Sequence, residues 1–133
     1  MWLLKTEPGA YSYEDLERDG KTTWDGVTNP VALRNLRAMK AGDQVVIYHT
    51  GSERAAVGIA EVTRGPRPDP GRADERLTVV DIAPRKRLGR PVTLSEIKSL
   101  RSFKESPLVR QGRLSVVALT AEQWKALMEE AQG

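Results

Sequence analysis

The chain has no cysteine. That excludes disulfides, zinc–thiolate sites, iron–sulfur clusters and thiol nucleophiles together. It has one histidine, so a His-rich metal site is excluded too. Only metal sites built from carboxylates and backbone oxygens stay open. No apolar run approaches the roughly 20 residues of a membrane helix. The opening MWLLKTEP reaches charge after four apolar residues, whereas a secretory signal has a basic start and a longer apolar stretch. The expected location is therefore the cytoplasm, or the nucleus in a eukaryote. The common catalytic and nucleotide motifs are missing as well: there is no GxGxxG, no P-loop, no HExxH and no GxSxG.

What is present describes a folded, soluble chain. With 133 residues, a single domain over 1–133 is expected. Apolar residues make up 39% and charged residues 29%, which suits a globular core rather than disorder. The net charge of +3 is unevenly spread. Residues 1–63 carry 7 basic and 9 acidic side chains, and residues 64–133 carry 14 and 9. A basic second half is compatible with a polyanionic partner.

Local signals predict short strands with helices between them. Trp2–Leu4 reads as a strand ended by Pro8 and Gly9. Ser12 and Asp15 form the two sides of a capping box, and Gly20 closes the helix that follows. Asn29-Pro30 opens a second helix, with Val31, Leu33, Leu36 and Met39 on one stripe. Val45–Tyr48 and Ala56–Thr63 are strands by composition. Gly65–Ala73 holds three prolines and two glycines, so a loop at a sheet edge is expected there. Leu77–Ala83 alternates as a strand. Thr93 with Glu96 caps a short helix to about Leu100, and Ser106-Pro107 starts a helical turn through Val109. Leu114–Leu119 reads as a last strand. Thr120 with Gln123 caps a C-terminal helix, on which Trp124 packs beside Leu127 and Met128. The sum is an α+β fold of about five or six strands in a mostly antiparallel, partly closed sheet.

The chemistry-bearing residues gather in the first half, at strand ends and beside helix starts: Lys5, Thr6, Glu7, Pro8, Tyr11, Trp24, Asp25, Asn29, Tyr48, His49 and Thr50. Loops beside helix starts display binding groups. Aromatic faces beside amide, hydroxyl, carboxylate, ammonium and imidazole groups suit a flat polar ring such as a nucleobase. Each residue also has an ordinary role: Trp24 as a core anchor, His49 as a structural hydrogen-bonding group, Lys5 and Glu7 as a surface ion pair. Three functions stay open: a nucleic-acid-binding module, a binder of a free aromatic ligand such as a nucleotide, and an enzyme on RNA or nucleotides using His49 with Asp25 or Glu7.

The order Trp2–Pro8, Tyr11-Ser12, Asp15-Leu16, Asp19-Gly20, Trp24–Val27, Leu36–Met39, Gly42-Asp43, Tyr48-His49 and Val57–Ala60 resembles the EVE domain. The run Arg110–Val117 with Thr120 and Trp124 resembles it too. The resemblance implies a PUA-like pseudo-barrel that binds a modified, methylcytosine-like base in nucleic acid; no cofactor or metal is expected, and a monomer is favoured. It assigns the base pocket to Lys5, Thr6, Glu7, Pro8, Tyr11, Trp24, Asn29, Tyr48, His49 and Thr50. Tyr48 or Trp24 would hold the ring, and Asn29, Glu7, Thr6 and His49 would read its edge. Arg34, Arg37, Arg85, Lys86, Arg87 and Arg90 are the expected backbone contacts. The family's usual Gly-Val-Arg-Asn is Gly26-Val27-Thr28-Asn29 here. Its Ala-Arg-Asn is Ala32-Leu33-Arg34-Asn35, a shift of one place, or about 100° around a helix.

Overall fold

The computed structural model describes residues 1–132. In chain order the strands are β1 (Trp2–Thr6), β2 (Thr22–Trp24), β3 (Gln44–His49), β4 (Ala55–Pro68), β5 (Thr78–Thr93) and β6 (Val116–Ala118). The helices are α1 (Tyr13–Asp19), α2 (Pro30–Ala38), α3 (Leu94–Lys98), α4 (Pro107–Arg110) and α5 (Ala121–Gln132), with a 3-10 turn at Arg101–Phe103.

The local start signals act as the side-chain chemistry requires. Ser12 Oγ accepts from the Asp15 N–H, and the Asp15 carboxylate accepts from the Ser12 N–H. Thr93 and Glu96 do the same for α3, and Thr120 and Gln123 for α5. Each box satisfies donors that a helix start otherwise leaves without partners. Gly20, at φ 75°, ends α1 in the left-handed region.

One six-stranded sheet, ordered β2-β5-β4-β3-β1-β6, organises these pieces. Four of its neighbouring pairs are antiparallel, but β1 and β3 run parallel, with Trp2 opposite Val45 and Thr6 opposite His49. The chain between them, α1-β2-α2, is the crossover that a parallel pair requires. β2, at Thr22–Trp24, has no counterpart among the strands expected from the sequence; three residues are too few to show a period. β4 runs on to Pro68, through part of the expected Gly65–Ala73 loop. β3 pairs only as far as Glu61, so the later residues of β4 keep β5 as partner and leave their other side free of β3. Prolines are tolerated on such an edge. β5 likewise continues past Ala83 through the basic segment to Thr93, and β6 is trimmed to Val116–Ala118.

Register shifts along β4–β5 at four places mark bulges. Bulges bend long strands, and the sheet curls. The curl brings the outer strands β2 and β6 to opposite sides of one cleft without pairing them, so the sheet is a half-barrel. Leu3, Leu4, Val45, Ile47, Val80, Ile82 and Phe103 belong to one apolar cluster with Leu33 and Leu36 of α2. α2 packs against β4, β5 and β6, and Asn35 Nδ2 donates to the Val116 carbonyl at 2.8 Å. The one-place shift on α2 thus gives Asn35 a structural task at the β6 edge. Trp2 Nε1 donates to Asp43 at 3.0 Å. Burial would raise the Asp43 carboxyl, but the Trp2 and Lys40 hydrogen bonds outweigh it and hold the group below the ordinary carboxylate value.

Candidate functional site

The cleft between the two free edges has a volume of about 500 Å³. Its floor is the end of β1, with Lys5, Thr6 and Glu7. One wall is β2 and the loop after it, from Thr22 to Asn29, together with Tyr11; the other is Arg113 and Ser115.

Backbone geometry holds both walls in place. Gly26, at φ 77°, turns the loop after Trp24, and Asn29 Oδ1 accepts from the N–H groups of Val31 and Ala32 to start α2. That cap uses the Asn29 acceptor and leaves its Nδ2 as a donor. Across the cleft, the Lys5 N–H donates to the Ser115 carbonyl and Lys5 Nζ to the Gly112 carbonyl, both at 2.9 Å. Burial pulls the Lys5 ammonium below the ordinary lysine value. Thr6 Oγ1 donates to the Tyr11 carbonyl at 2.6 Å, and the Tyr11 hydroxyl to Asp19 at 2.8 Å. Burial, reinforced by Asp19, raises the Tyr11 phenol, so it stays a neutral donor at ordinary pH.

Tyr11 and Trp24 meet edge to face, with centroids 6.2 Å apart and planes at 81°. Trp24 is only 9% exposed and belongs to the core cluster, so it offers the cleft a rim rather than an open stacking face. Among the described residues, the side chains of Glu7, Asp25, Thr28 and Arg113 make no hydrogen bond within the chain. The cleft therefore holds two carboxylate acceptors, a guanidinium, an ammonium, an amide donor and aromatic edges. It can grip a flat polar ring at its margins.

Six of the ten expected pocket residues line this cleft: Lys5, Thr6, Glu7, Tyr11, Trp24 and Asn29. Pro8, Tyr48, His49 and Thr50 do not. Pro8 sits in a turn closed by the Ala10 and Tyr11 N–H groups on the Glu7 carbonyl. Tyr48 is buried beneath Lys5, whose Nζ lies 5.8 Å from the ring centre. Burial raises its phenol. The Thr50 N–H and hydroxyl both turn to the Thr6 carbonyl. His49 is 8% exposed; its Nε2 accepts from the Tyr13 N–H at 3.0 Å and its Nδ1 faces Glu53 at 3.1 Å. An N–H pointing at Nε2 requires the tautomer with hydrogen on Nδ1. Both ring nitrogens are thus engaged in tying α1 to β3, and the histidine is withdrawn from any ligand in the cleft.

None of the six expected backbone contacts lines the cleft either. Arg85 pairs with Glu61, Arg87 with Glu17, and Arg90 with Glu96 and Glu130. Arg37 donates to the Arg76 carbonyl and Thr78. Arg34 and Lys86 are exposed. The cleft's own guanidinium, Arg113, and its neighbour Ser115 were absent from the expected set. They lie in the C-terminal run that carries the family resemblance, which is the one signal that pointed to them.

A curled, unclosed sheet with a polar and aromatic cleft between its free edges defines a PUA-like half-barrel with a candidate recognition cleft. The EVE domain model matches residues 1–130, and this chain belongs to that family. Thymocyte nuclear protein 1 of Rattus norvegicus is 29% identical, over 98% of this chain and 74% of that protein. The crystal structure of a protein from Agrobacterium tumefaciens is similar with a TM-score of 0.94 and 34% identity, covering 98% of this chain and 91% of that one. Human THYN1, crystallised in complex with 5-methylcytosine-containing DNA, is similar with a TM-score of 0.91 and 27% identity, covering 99% of this chain and 97% of that one.

Proposed function

We propose that residues 1–133 form one domain that binds a methylated-cytosine-like base presented by nucleic acid, in the cleft between β2 and β6, without chemical change to it. The observation that carries this reading is the cleft itself: at about 500 Å³ roomy enough for a base, rimmed by Tyr11 and Trp24, and furnished with unpaired carboxylates opposite donors. A carboxylate such as Glu7 suits the exocyclic amine of cytosine. Lys5 and Asn29 Nδ2 suit its ring acceptors. The likeness to human THYN1, crystallised with 5-methylcytosine-containing DNA, supports the same ligand class and favours DNA. Reading a base edge between the two walls calls for a base that has left its duplex or comes from a single strand.

The same residues support binding without turnover. The one histidine is occupied inside the protein, and among the described residues no nucleophile is paired with a base in the cleft.

Fluorescence anisotropy with matched oligonucleotides tests the reading. Burying one methyl group is worth about 0.8 kcal/mol, so a methylated strand is expected to bind about fourfold tighter than its plain match at equal salt. Equal binding to both would overturn it. Affinity that ignores salt would transfer the site to a free, uncharged ligand.

A further inference from the structure

A second, shallower hollow adjoins the cleft. Its volume is about 290 Å³, and it is lined by Asn29, Val31, Gln111, Gly112, Arg113 and Leu114. Asn29 and Arg113 line both spaces and form the ridge between them. Arg113 is exposed and, among the described residues, has no carboxylate partner, unlike Arg85, Arg87 and Arg90. Val31 is 37% exposed, one of two large apolar side chains left so open among the described residues. It sits beyond the ridge, just inside the start of α2.

We propose that this hollow is a subsite for one nucleotide flanking the recognised base. Arg113 contacts the phosphate that joins the two nucleotides, and the flanking base rests on Val31. The inference rests on the base-binding reading of the cleft and adds a direction for the strand, out over the Asn29–Arg113 ridge. Charge complementarity selects the occupant: an unpaired guanidinium on the ridge meets a phosphodiester, while the apolar patch one step further meets a base face. A guanidinium presents several donors in a plane to phosphate oxygens. Apolar contact between Val31 and a base face uses no hydrogen bond that reads the base edge, so the subsite would add affinity more than sequence choice.

The test compares three ligands by calorimetry at one ionic strength: 5-methyl-2′-deoxycytidine, and the two dinucleotides that place a thymidine 5′ or 3′ of it. One dinucleotide is expected to bind about tenfold tighter than the nucleoside, from one added apolar base contact and one phosphate. Arg113→Gln is expected to remove most of that gain. Val31→Ser is expected to reduce the gain while leaving nucleoside affinity unchanged, because Val31 does not line the cleft. Neither dinucleotide exceeding the nucleoside, with methyl preference intact, would overturn the subsite alone. Equal gains from both dinucleotides, insensitive to Val31→Ser, would reduce the effect to Coulomb attraction and also overturn it. Loss of methyl preference in every ligand would remove the base reading and the subsite together.

Discussion

His49 shows how strongly partners decide what a residue does. Its imidazole closes a hydrogen bond on the Tyr13 N–H, one of the donors that α1 has no internal acceptor for. Removing that acceptor leaves a buried N–H unsatisfied, which costs about 1–3 kcal/mol. His49→Ala is therefore expected to lower the unfolding free energy by about that amount, read by urea denaturation, with the oligonucleotide Kd unchanged. Lost binding in a variant of unchanged stability would return His49 to the recognition machinery. Tyr48 and His49 attract notice in the sequence because a polar aromatic pair stands at a strand end. The structure buries both, on opposite faces of β3, a central strand paired with β1 on one side and β4 on the other. Lys5–Glu7 sit at the end of β1, beside the β6 edge, and so the same kind of signal there does mark the cleft.

Elements were legible where their causes are local. Capping boxes, the Asn29-Pro30 start and Gly20 act within four residues, and each appears as expected. The parallel pairing of β1 with β3 was not legible, because partners about forty residues apart are chosen by how α1, β2 and α2 pack between them. The same holds for Arg113, which reaches the site only because the sheet curls. Among the local devices, the cap of α3 has a testable pH signature. A hydrogen bond from Arg90, then those from Thr93, hold the Glu96 carboxyl down at about 2, against an ordinary value of 4.5. A depressed carboxyl contributes its full stability above its unfolded value and loses it as pH falls toward the folded one. Wild type is thus expected to exceed Glu96→Gln in stability at pH above about 5 and to lose that advantage as pH falls from about 4.5 toward about 2. Chemical denaturation of both proteins across that range reads it. A constant difference would mean that Glu96 contributes as a neutral hydrogen-bonding group.

At the scale of the molecule, the +3 charge matters less than where cations stand free. The basic stretch of β5 is the most conspicuous in the sequence, yet Arg85, Arg87 and Arg90 each face a carboxylate in the fold. Such exposed pairs add little stability, about 0–1 kcal/mol. They do cancel much of the local field, and a phosphate would have to compete with Glu17, Glu61 or Glu96 for the same guanidinium. Arg113 faces no such competitor and stands at the mouth of the cleft. Each phosphate neutralised on a single strand steepens the fall of log affinity with log salt by about 0.7. Arg113→Gln is therefore expected to flatten that slope by about 0.7 for a single-stranded methylated oligonucleotide, and Arg87→Gln to leave it unchanged. Titrations at several salt concentrations read both slopes. A flatter slope for Arg87→Gln alone would mean that the strand crosses β5 and that its ion pair with Glu17 opens on binding. Flattening with Arg113→Gln alone would confine the phosphate contact to the cleft mouth, where the free edges of the half-barrel meet.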